Sequence, residues 1–250
     1  MTKLHKVLAS AAAIAALPAA SAVAAPVKNI VLVHGAFADG SGWKPVAEIL
    51  RKDGYIVSVV QTPMTSLDDD AAATKRILER QNGPAVLVAH SYGGAVITKA
   101  GDDPKVSALV YIAAFAPDEG ETLGGISQKT PPATTGIAPT PDGFLFINPK
   151  VFDADFAGDL PKTEADFMAI SQMPVAAKSF GTPFGAPAWK SKPVYAVVAT
   201  QDRMINPNLE RMMYARAHAH VTELKGSHSI FISQPRAVAT VIESAARSAN

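Results

Sequence analysis

The stretch AVLVAHSYGG, residues 85–94, decides the fold. Its apolar first half predicts a buried strand, and Ser91 stands at the apex of a sharp turn that leads into a helix from Gly94. Such a turn strains the serine backbone, so the residues two before and two after it must be small. Ala89 and Gly93 meet this requirement, although glycine is usual where Ala89 stands. The pattern predicts a strand–nucleophile–helix elbow with the Ser91 hydroxyl above the sheet.

Composition excludes several classes of protein. The chain has 250 residues, no cysteine, 23 Lys and Arg against 22 Asp and Glu, and a net charge of +1. This balance provides no basic field for nucleic acid. The absence of cysteine excludes disulfides and thiolate metal sites. We expect no metal and no other cofactor, and the composition leaves the oligomeric state open.

The first 24 residues have the pattern of a secretory signal peptide. Lys3 and Lys6 precede an apolar stretch at residues 7–16, and residues 22–24 offer a small-x-small cleavage site. The apolar stretch is short for a membrane span. We therefore expect a periplasmic or secreted protein that has no membrane segment after the signal is removed, and a single domain over residues 25–250.

Apolar runs and helical patterns alternate along the remaining chain. Strands are predicted at residues 30–33, 55–60, 85–89, 106–113, 194–199 and 220–224, and helices at residues 43–52, 67–81, 94–100, 206–217 and 235–247. This alternation indicates an α/β fold with a doubly wound, mostly parallel sheet that helices cover on both faces.

The alternation breaks at about residues 117–190, which are rich in proline. Helical pieces are expected around residues 152–160 and 164–178, a short strand at residues 144–147, and irregular chain at residues 130–141. This segment is too long for a plain loop and is interpreted as an inserted lid.

The lid carries apolar side chains that either line an apolar pocket for an acyl or alcohol group or pack the lid against the core. They are Phe144, Phe146, Phe152, Phe156, Phe167, Met168, Met173 and Phe184.

A serine hydroxyl needs a base to become a good nucleophile, and that base needs a carboxylate that orients it. Both must lie in loops at the edge of the sheet where Ser91 lies. His228 follows the last predicted strand and is the candidate base, and Asp202 follows the strand before it and is the candidate carboxylate. Asp118 or Glu119, after the fourth strand, is the alternative acid.

Two backbone N–H groups are needed to bind the oxyanion of a tetrahedral intermediate. One is expected from Tyr92, the residue after the nucleophile. The other is expected from the loop after the first strand, with Ala36 as first choice and Phe37 as second. Gly35 in this loop allows the backbone to approach closely. The neighbouring His34 is expected to organise the loop, and no P-loop lysine follows it that would indicate phosphate binding.

Four segments together resemble the α/β-hydrolase superfamily. They are VLVHGAF at residues 31–37, AHSYGG at 89–94, TQDRMI at 200–205 and GSH at 226–228. The resemblance covers about residues 28–247 and is strongest to small bacterial esterase-like members related to plant methylesterases and hydroxynitrile lyases. It implies the fold of that superfamily with a small lid after the fourth strand.

The resemblance also bears on the reaction. Haloalkane dehalogenases and epoxide hydrolases of the superfamily carry an Asp nucleophile, against which Ser91 argues. Plant hydroxynitrile lyases carry Thr where Gly35 stands and Lys where Ser229 stands. We therefore expect a serine carboxylesterase that acts on an apolar small-molecule ester through an acyl-enzyme. The alternatives are a lyase, an acyltransferase or a non-catalytic small-molecule binding protein on the same scaffold.

Overall fold

The computed structural model describes residues 1–2 and 27–249. Apart from its first two positions, the signal peptide predicted at residues 1–24 lies outside the described residues. The strands are β1 (Asn29–Val33), β2 (Ile56–Val60), β3 (Ala85–Ser91), β4 (Val106–Ala114), β5 (Ile137–Pro139), β6 (Phe144–Ile147), β7 (Val175–Ala176), β8 (Val194–Ala199) and β9 (His220–Leu224).

The helices surround these strands. They are α1 (Lys44–Lys52), α2 (Leu67–Glu79), α3 (Gly93–Ala100), α4 (Leu123–Lys129), α5 (Pro149–Phe156), α6 (Lys162–Ser171), α7 (Lys178–Gly181), α8 (Pro207–Arg216), α9 (Ile230–Ser233) and α10 (Pro235–Ser248). Short 3-10 helices lie at Gly40–Trp43 and Ala188–Lys190.

A parallel sheet of six strands, in the order β2-β1-β3-β4-β8-β9, forms the centre of the molecule. Along β1, Val31 and Val33 pack into one hydrophobic core and Ile30 and Leu32 into another, because successive side chains of a strand point to opposite faces. Helices α2, α3 and α8 contribute to the first core, and α1 and α10 to the second. Burial on both faces explains the apolar runs and confirms the predicted doubly wound α/β fold.

The strand order creates a crevice at one edge of the sheet. The chain passes from β1 outward to β2 and then returns to the opposite side of β1 to form β3. In open parallel sheets, ligands bind beyond the carboxyl ends of the strands at such a reversal. The loop after β1 and the turn after β3 meet there, and a Cβ at Gly35 would lie only 2.7 Å from the Cβ of Ser91.

Residues 115–193, which we call the insertion, connect β4 to β8. They contain α4 to α7 and a small antiparallel sheet in the order β5-β6-β7. The strand predicted at residues 144–147 is confirmed. The prediction of irregular chain at residues 130–141 was wrong at β5, where Ile137 and Pro139 pair with β6.

The helical piece predicted at residues 164–178 was also wrong beyond Ser171, where α6 ends. Pro174 disfavours helical backbone at the residue before it, and β7 follows directly. The helical piece expected around residues 152–160 is α5, which begins and ends earlier, with Phe156 as its last residue. Among the described residues, no helix has both the length and the apolar character needed to cross a membrane.

Candidate active site

The turn at Ser91 has the strained geometry that the sequence predicts. Ser91 ends β3 with a φ of 55°, and α3 begins two residues later. A side chain at Gly93 would place a Cβ 2.6 Å from the carbonyl oxygen of His34, and one at Gly94 would lie 2.2 Å from that of Phe115. Both glycines are therefore needed for the close approach of α3 to the neighbouring strands. Ala89 is fully buried and is accommodated within β3.

The structure brings Ser91, His228 and Asp202 together in one chain of hydrogen bonds. The Oγ atom of Ser91 lies 2.7 Å from Nε2 of His228, and Nδ1 of His228 lies 2.6 Å from Oδ2 of Asp202. His228 is fully buried and Asp202 nearly so. With a proton on Nδ1 that is donated to Asp202, Nε2 is free to accept from the serine hydroxyl. The arrangement can move a proton away from Ser91.

The second oxygen of Asp202 is held by the backbone. Oδ1 accepts hydrogen bonds from the N–H groups of Met204 at 2.7 Å and Ile205 at 2.9 Å. These bonds fix the carboxylate while Oδ2 faces His228. The alternative acid Asp118 instead pairs with Lys190 at 2.8 Å and Glu119 is exposed, so neither replaces Asp202 as the partner of Nδ1.

Glu210 on α8 lies behind Asp202 and was not found from the sequence. Its side chain is fully buried, and Oε2 accepts the N–H of Ala199 at 3.2 Å. Burial raises the pKa of Glu210 well above its usual value, and the nearby charge of Asp202 raises it further. Glu210 therefore keeps its proton to a higher pH than an exposed glutamate does. Its position eight residues after Asp202, on a helix, carries no motif that would have identified it.

Of the three N–H groups considered for an oxyanion, the structure leaves two without a partner. The hydrogen bonds of the described residues give no acceptor to the Ala36 or Tyr92 N–H. The Phe37 N–H donates to the carbonyl of Met173 in the insertion at 3.1 Å. The second choice, Phe37, is therefore corrected, because the carbonyl of Met173 already occupies its N–H.

The side chain of Tyr92 contacts a residue that the sequence did not single out for the site. Its hydroxyl donates to Oδ2 of Asp70 at 2.7 Å, and Oδ1 of Asp70 accepts the N–H of Met64 at 2.8 Å. Tyr92 and Asp70 are fully buried. Burial raises the pKa of both side chains, so the phenol remains a donor. From the sequence alone, the acidic residues 68–70 indicate only the first turn of the helix predicted at residues 67–81.

Two other buried histidines support the site. The Nε2 atom of His34 lies 2.9 Å from Oγ1 of Thr62 and accepts the N–H of that residue, which fixes the loop after β1 as expected. His90 places Nε2 2.9 Å from the carbonyl oxygen of His228, and the two rings lie 4.5 Å apart. Burial lowers the pKa of His34 and of His90, so both are neutral supports of the loops around Ser91.

A cavity of about 160 Å³ lies between the loop after β1, α6 and α9. Phe37 and Phe231 form part of its wall. In the sequence, Phe37 directly follows Ala36, and Phe231 lies three residues after His228. The lining residues are Phe37, Ala38, Asp39, Ser41, Gly42, Glu164, Phe167, Met168, Ser171, Gln172, Phe231 and Ile232. The lining carries two carboxylates and, within the described part of the chain, no Lys or Arg.

The apolar residues of the insertion divide between the two roles that the sequence allows. Phe152, Phe156 and Phe184 are buried in the core, whereas Phe167 and Met168 line the cavity. The remaining residues of the set, Phe144, Phe146 and Met173, are partly buried. Within residues 1–2 and 27–249, no cluster of three or more His, Asp or Glu side chains is arranged to hold a metal ion.

Comparison with known proteins identifies the family. The sequence model of the alpha/beta hydrolase family matches residues 30–241. The chain is 33% identical over 118 residues to a carbendazim hydrolyzing esterase of a Nocardioides species, with 42% of this chain and 49% of that protein aligned. It is 28% identical over 248 residues to a pyrethroid hydrolase of Sphingobium wenxiniae, with 86% of each protein aligned.

The fold is shared with solved structures. The crystal structure of a pyrethroid hydrolase from Sphingobium faniae has a TM-score of 0.74 and 25% identity, and the alignment covers 88% of this chain and 97% of that one. The similarity to the carbendazim hydrolyzing esterase spans about half the length of that relative. Since the family match extends over most of the residues and the six-stranded parallel sheet agrees with it, the chain belongs to the alpha/beta hydrolase family.

Proposed function

We propose that the protein is a serine carboxylesterase in which Ser91, His228 and Asp202 form the catalytic triad. The observation that carries this proposal is the continuous pair of hydrogen bonds, 2.7 Å and 2.6 Å long, from the Ser91 hydroxyl through His228 to Asp202. Similar proteins that are named as an esterase and as a pyrethroid hydrolase support ester hydrolysis as the reaction.

The reaction proceeds in two halves. Ser91 attacks the ester carbonyl while His228 takes its proton, and His228 then gives that proton to the departing alkoxide. Asp202 holds the histidine tautomer and stabilises the imidazolium. The Ala36 and Tyr92 N–H groups bind the tetrahedral oxyanion. In the second half, His228 takes a proton from water, which attacks the acyl-enzyme. His228 then gives that proton to Ser91, so the carboxylic acid is released and the Ser91 hydroxyl is restored.

The cavity beside Phe37 and Phe231 favours a neutral ester with an apolar group. Its wall is mostly apolar, and the carboxylates of Asp39 and Glu164 at this wall would repel an anionic substrate. We therefore propose that the protein prefers neutral esters to esters that carry a carboxylate. Comparison of kcat/KM for two esters that differ only in a terminal methyl or carboxylate group tests this preference.

We also propose that the protein is exported, because of the signal pattern in residues 1–24. Expression of the full chain in a bacterial host, followed by fractionation and N-terminal sequencing, tests this. A periplasmic or secreted protein that begins near residue 25 supports export. A cytoplasmic protein with an intact N-terminus contradicts it.

The function is tested by hydrolysis of p-nitrophenyl esters of increasing acyl length. We expect turnover by the wild type and a loss of several orders of magnitude in kcat for Ser91→Ala. Ser191→Ala is the matched control, since Ser191 is exposed and its hydroxyl donates to the neighbouring backbone carbonyl of Ala188. A folded wild type that cleaves none of the esters would contradict the proposal and would favour lyase chemistry or ligand binding.

A further inference from the structure

One carboxylate of the insertion, that of Asp159, binds both the loop that carries His228 and the end of α9. Asp159 lies in the turn between α5 and α6, 68 residues before Ser227 in sequence. Its Oδ2 atom accepts the N–H of Ser227 at 3.0 Å and the hydroxyl of Ser233 at 2.7 Å. Its Oδ1 atom accepts the hydroxyl of Ser227. One side chain therefore holds the residue before His228 and a residue at the end of α9.

A second contact fixes the same loop from the same side. The hydroxyl of Ser229 donates to the carbonyl oxygen of Phe156 at 2.9 Å. The ring of Phe156 meets the ring of His228 edge-on, with the centroids 4.9 Å apart. The residues on both sides of His228 are thus bonded to the end of α5 and to the turn that follows it.

The absence of a side chain at Gly226 allows Asp159 to approach this loop. A side chain at Gly226 would place its Cβ 2.7 Å from Oδ2 of Asp159. Glycine at this position therefore lets the carboxylate reach the backbone of Ser227. Ser227 and Ser229 are buried, whereas Asp159 itself is exposed to solvent.

We propose that Asp159 is a positioning residue for His228, which it holds in register with Ser91 and Asp202 through its hydrogen bonds to Ser227 and Ser233. This inference rests on the proposed catalytic role of His228. The α5 end of the insertion is then a fixed support of the triad.

The proposal predicts a specific kinetic defect. Loss of the three hydrogen bonds lets the His228 loop shift, and a misplacement of about 1 Å can lower a rate about 100-fold. We expect Asp159→Ala to lower kcat about 10- to 100-fold with little change in KM, because the residues that line the cavity are untouched. Asp159→Asn keeps one oxygen for Ser227 N–H and Ser233 and an amide for the Ser227 hydroxyl, so we expect it to restore most of the activity.

The experiment measures four quantities on the folded full-length protein. They are kcat and KM for a p-nitrophenyl ester, the rate of Ser91 labelling by a fluorophosphonate, and the low-field proton resonance of the hydrogen bond between His228 and Asp202. Asp166→Asn is the matched control, because it removes an exposed ion pair with Lys162 on the same insertion. The proposal expects slower turnover, slower labelling and a weakened resonance in Asp159→Ala alone.

The results separate this proposal from the proposed function. If the wild type cleaves no ester, esterase activity is contradicted, while labelling and the resonance still test Asp159. If Asp159→Ala merely lowers the melting temperature and keeps the wild-type kcat and resonance, the residue has a structural role alone and the proposal is overturned. Failure of Asp159→Asn to restore activity would likewise contradict it.

Discussion

The hydroxyl of Tyr92 donates a 2.7 Å hydrogen bond to the buried carboxyl of Asp70. The residue whose backbone N–H faces the proposed oxyanion is thereby fixed through its side chain to helix α2. Since Asp70 also accepts the N–H of Met64, the bond connects the turn after β3 to the loop after β2. The orientation of one proposed oxyanion donor thus depends on a helix more than twenty residues away in sequence.

Tyr92→Phe removes this bond and leaves the Asp70 carboxyl with one partner fewer in a buried site. We expect a loss of about 1–3 kcal/mol in the free energy of unfolding and roughly a tenfold fall in kcat, since complete loss of an oxyanion donor costs more than this. Urea unfolding and steady-state kinetics measure both effects. Tyr55→Phe, at the edge of the sheet beside α1, is the control and should leave kcat unchanged.

Asp202→Asn tests which acid orients His228. We expect kcat to fall by about 10,000-fold, because an amide favours the wrong histidine tautomer. Asp118→Asn should retain nearly wild-type kcat, since Asp118 pairs with Lys190. If Asp118→Asn lowers kcat more than Asp202→Asn does, the acid that orients His228 is Asp118, in the loop after β4.

Glu210→Gln should change how stability depends on pH. Burial and the Asp202 charge raise the pKa of Glu210 in the folded protein, so the folded state keeps a proton that the unfolded chain releases above about pH 4.3. Below that pH both the folded and the unfolded chain hold the proton, so Glu210 does not make stability depend on pH. As pH rises toward the folded pKa, the wild type should lose up to about 1.4 kcal/mol per pH unit relative to the variant.

Urea unfolding of the wild type and of Glu210→Gln at several pH values between 4 and 8 measures this difference. Glu79→Gln, the same substitution at the exposed end of α2, is the control. A constant difference between the wild type and Glu210→Gln across the whole range would show that folding does not raise the pKa of Glu210, which would contradict this account.

Gly94→Ala tests the packing of the elbow. Its Cβ would lie 2.2 Å from the carbonyl oxygen of Phe115, and relief of such an overlap costs about 1–3 kcal/mol or more. At Gly185 a Cβ meets no atom within 4 Å, so Gly185→Ala should change the free energy of unfolding by less than about 0.5 kcal/mol. Equal stability of the two variants in thermal unfolding would contradict the packing argument.

Met168→Trp tests whether the cavity binds the substrate. Met168 lines the cavity, and a larger side chain there should raise KM for long acyl esters several-fold and leave short esters unaffected. Ile170→Trp is the control, because Ile170 lies on the same helix with 79% of its surface exposed. An equal effect of both substitutions on KM would show that the cavity is not the acyl site.

The sequence predicts the inner strands of the central sheet well because β1, β3, β4 and β8 are buried on both faces. Runs such as residues 30–33 and 85–89 are uniformly apolar for that reason, and the chain order of the loops places Ser91, Asp202 and His228 at one edge. The insertion was predicted less well. Pro174 ends the helical pattern that residues 164–178 suggest, and β5 at Ile137–Pro139 forms because β6 provides a partner.

The supporting residues of the site could not be predicted from one sequence. Asp70 contacts Tyr92 across 22 residues, and Asp159 contacts Ser227 across 68. Neither carboxylate belongs to a motif, since each acts through a contact that the tertiary fold creates. The N–H of Phe37 could not be excluded as an oxyanion donor from the sequence for the same reason. It donates to the carbonyl of Met173, which only the fold of the insertion brings close.

The central claim is that Ser91 becomes acylated during turnover. Rapid quenching of the wild type during hydrolysis of a p-nitrophenyl ester, followed by mass spectrometry of the peptide that contains residues 85–94, measures this directly. The account predicts an added acyl mass on Ser91 that is absent from Ser91→Ala. Turnover without any acylated Ser91, or an acyl group on a different residue, would contradict it.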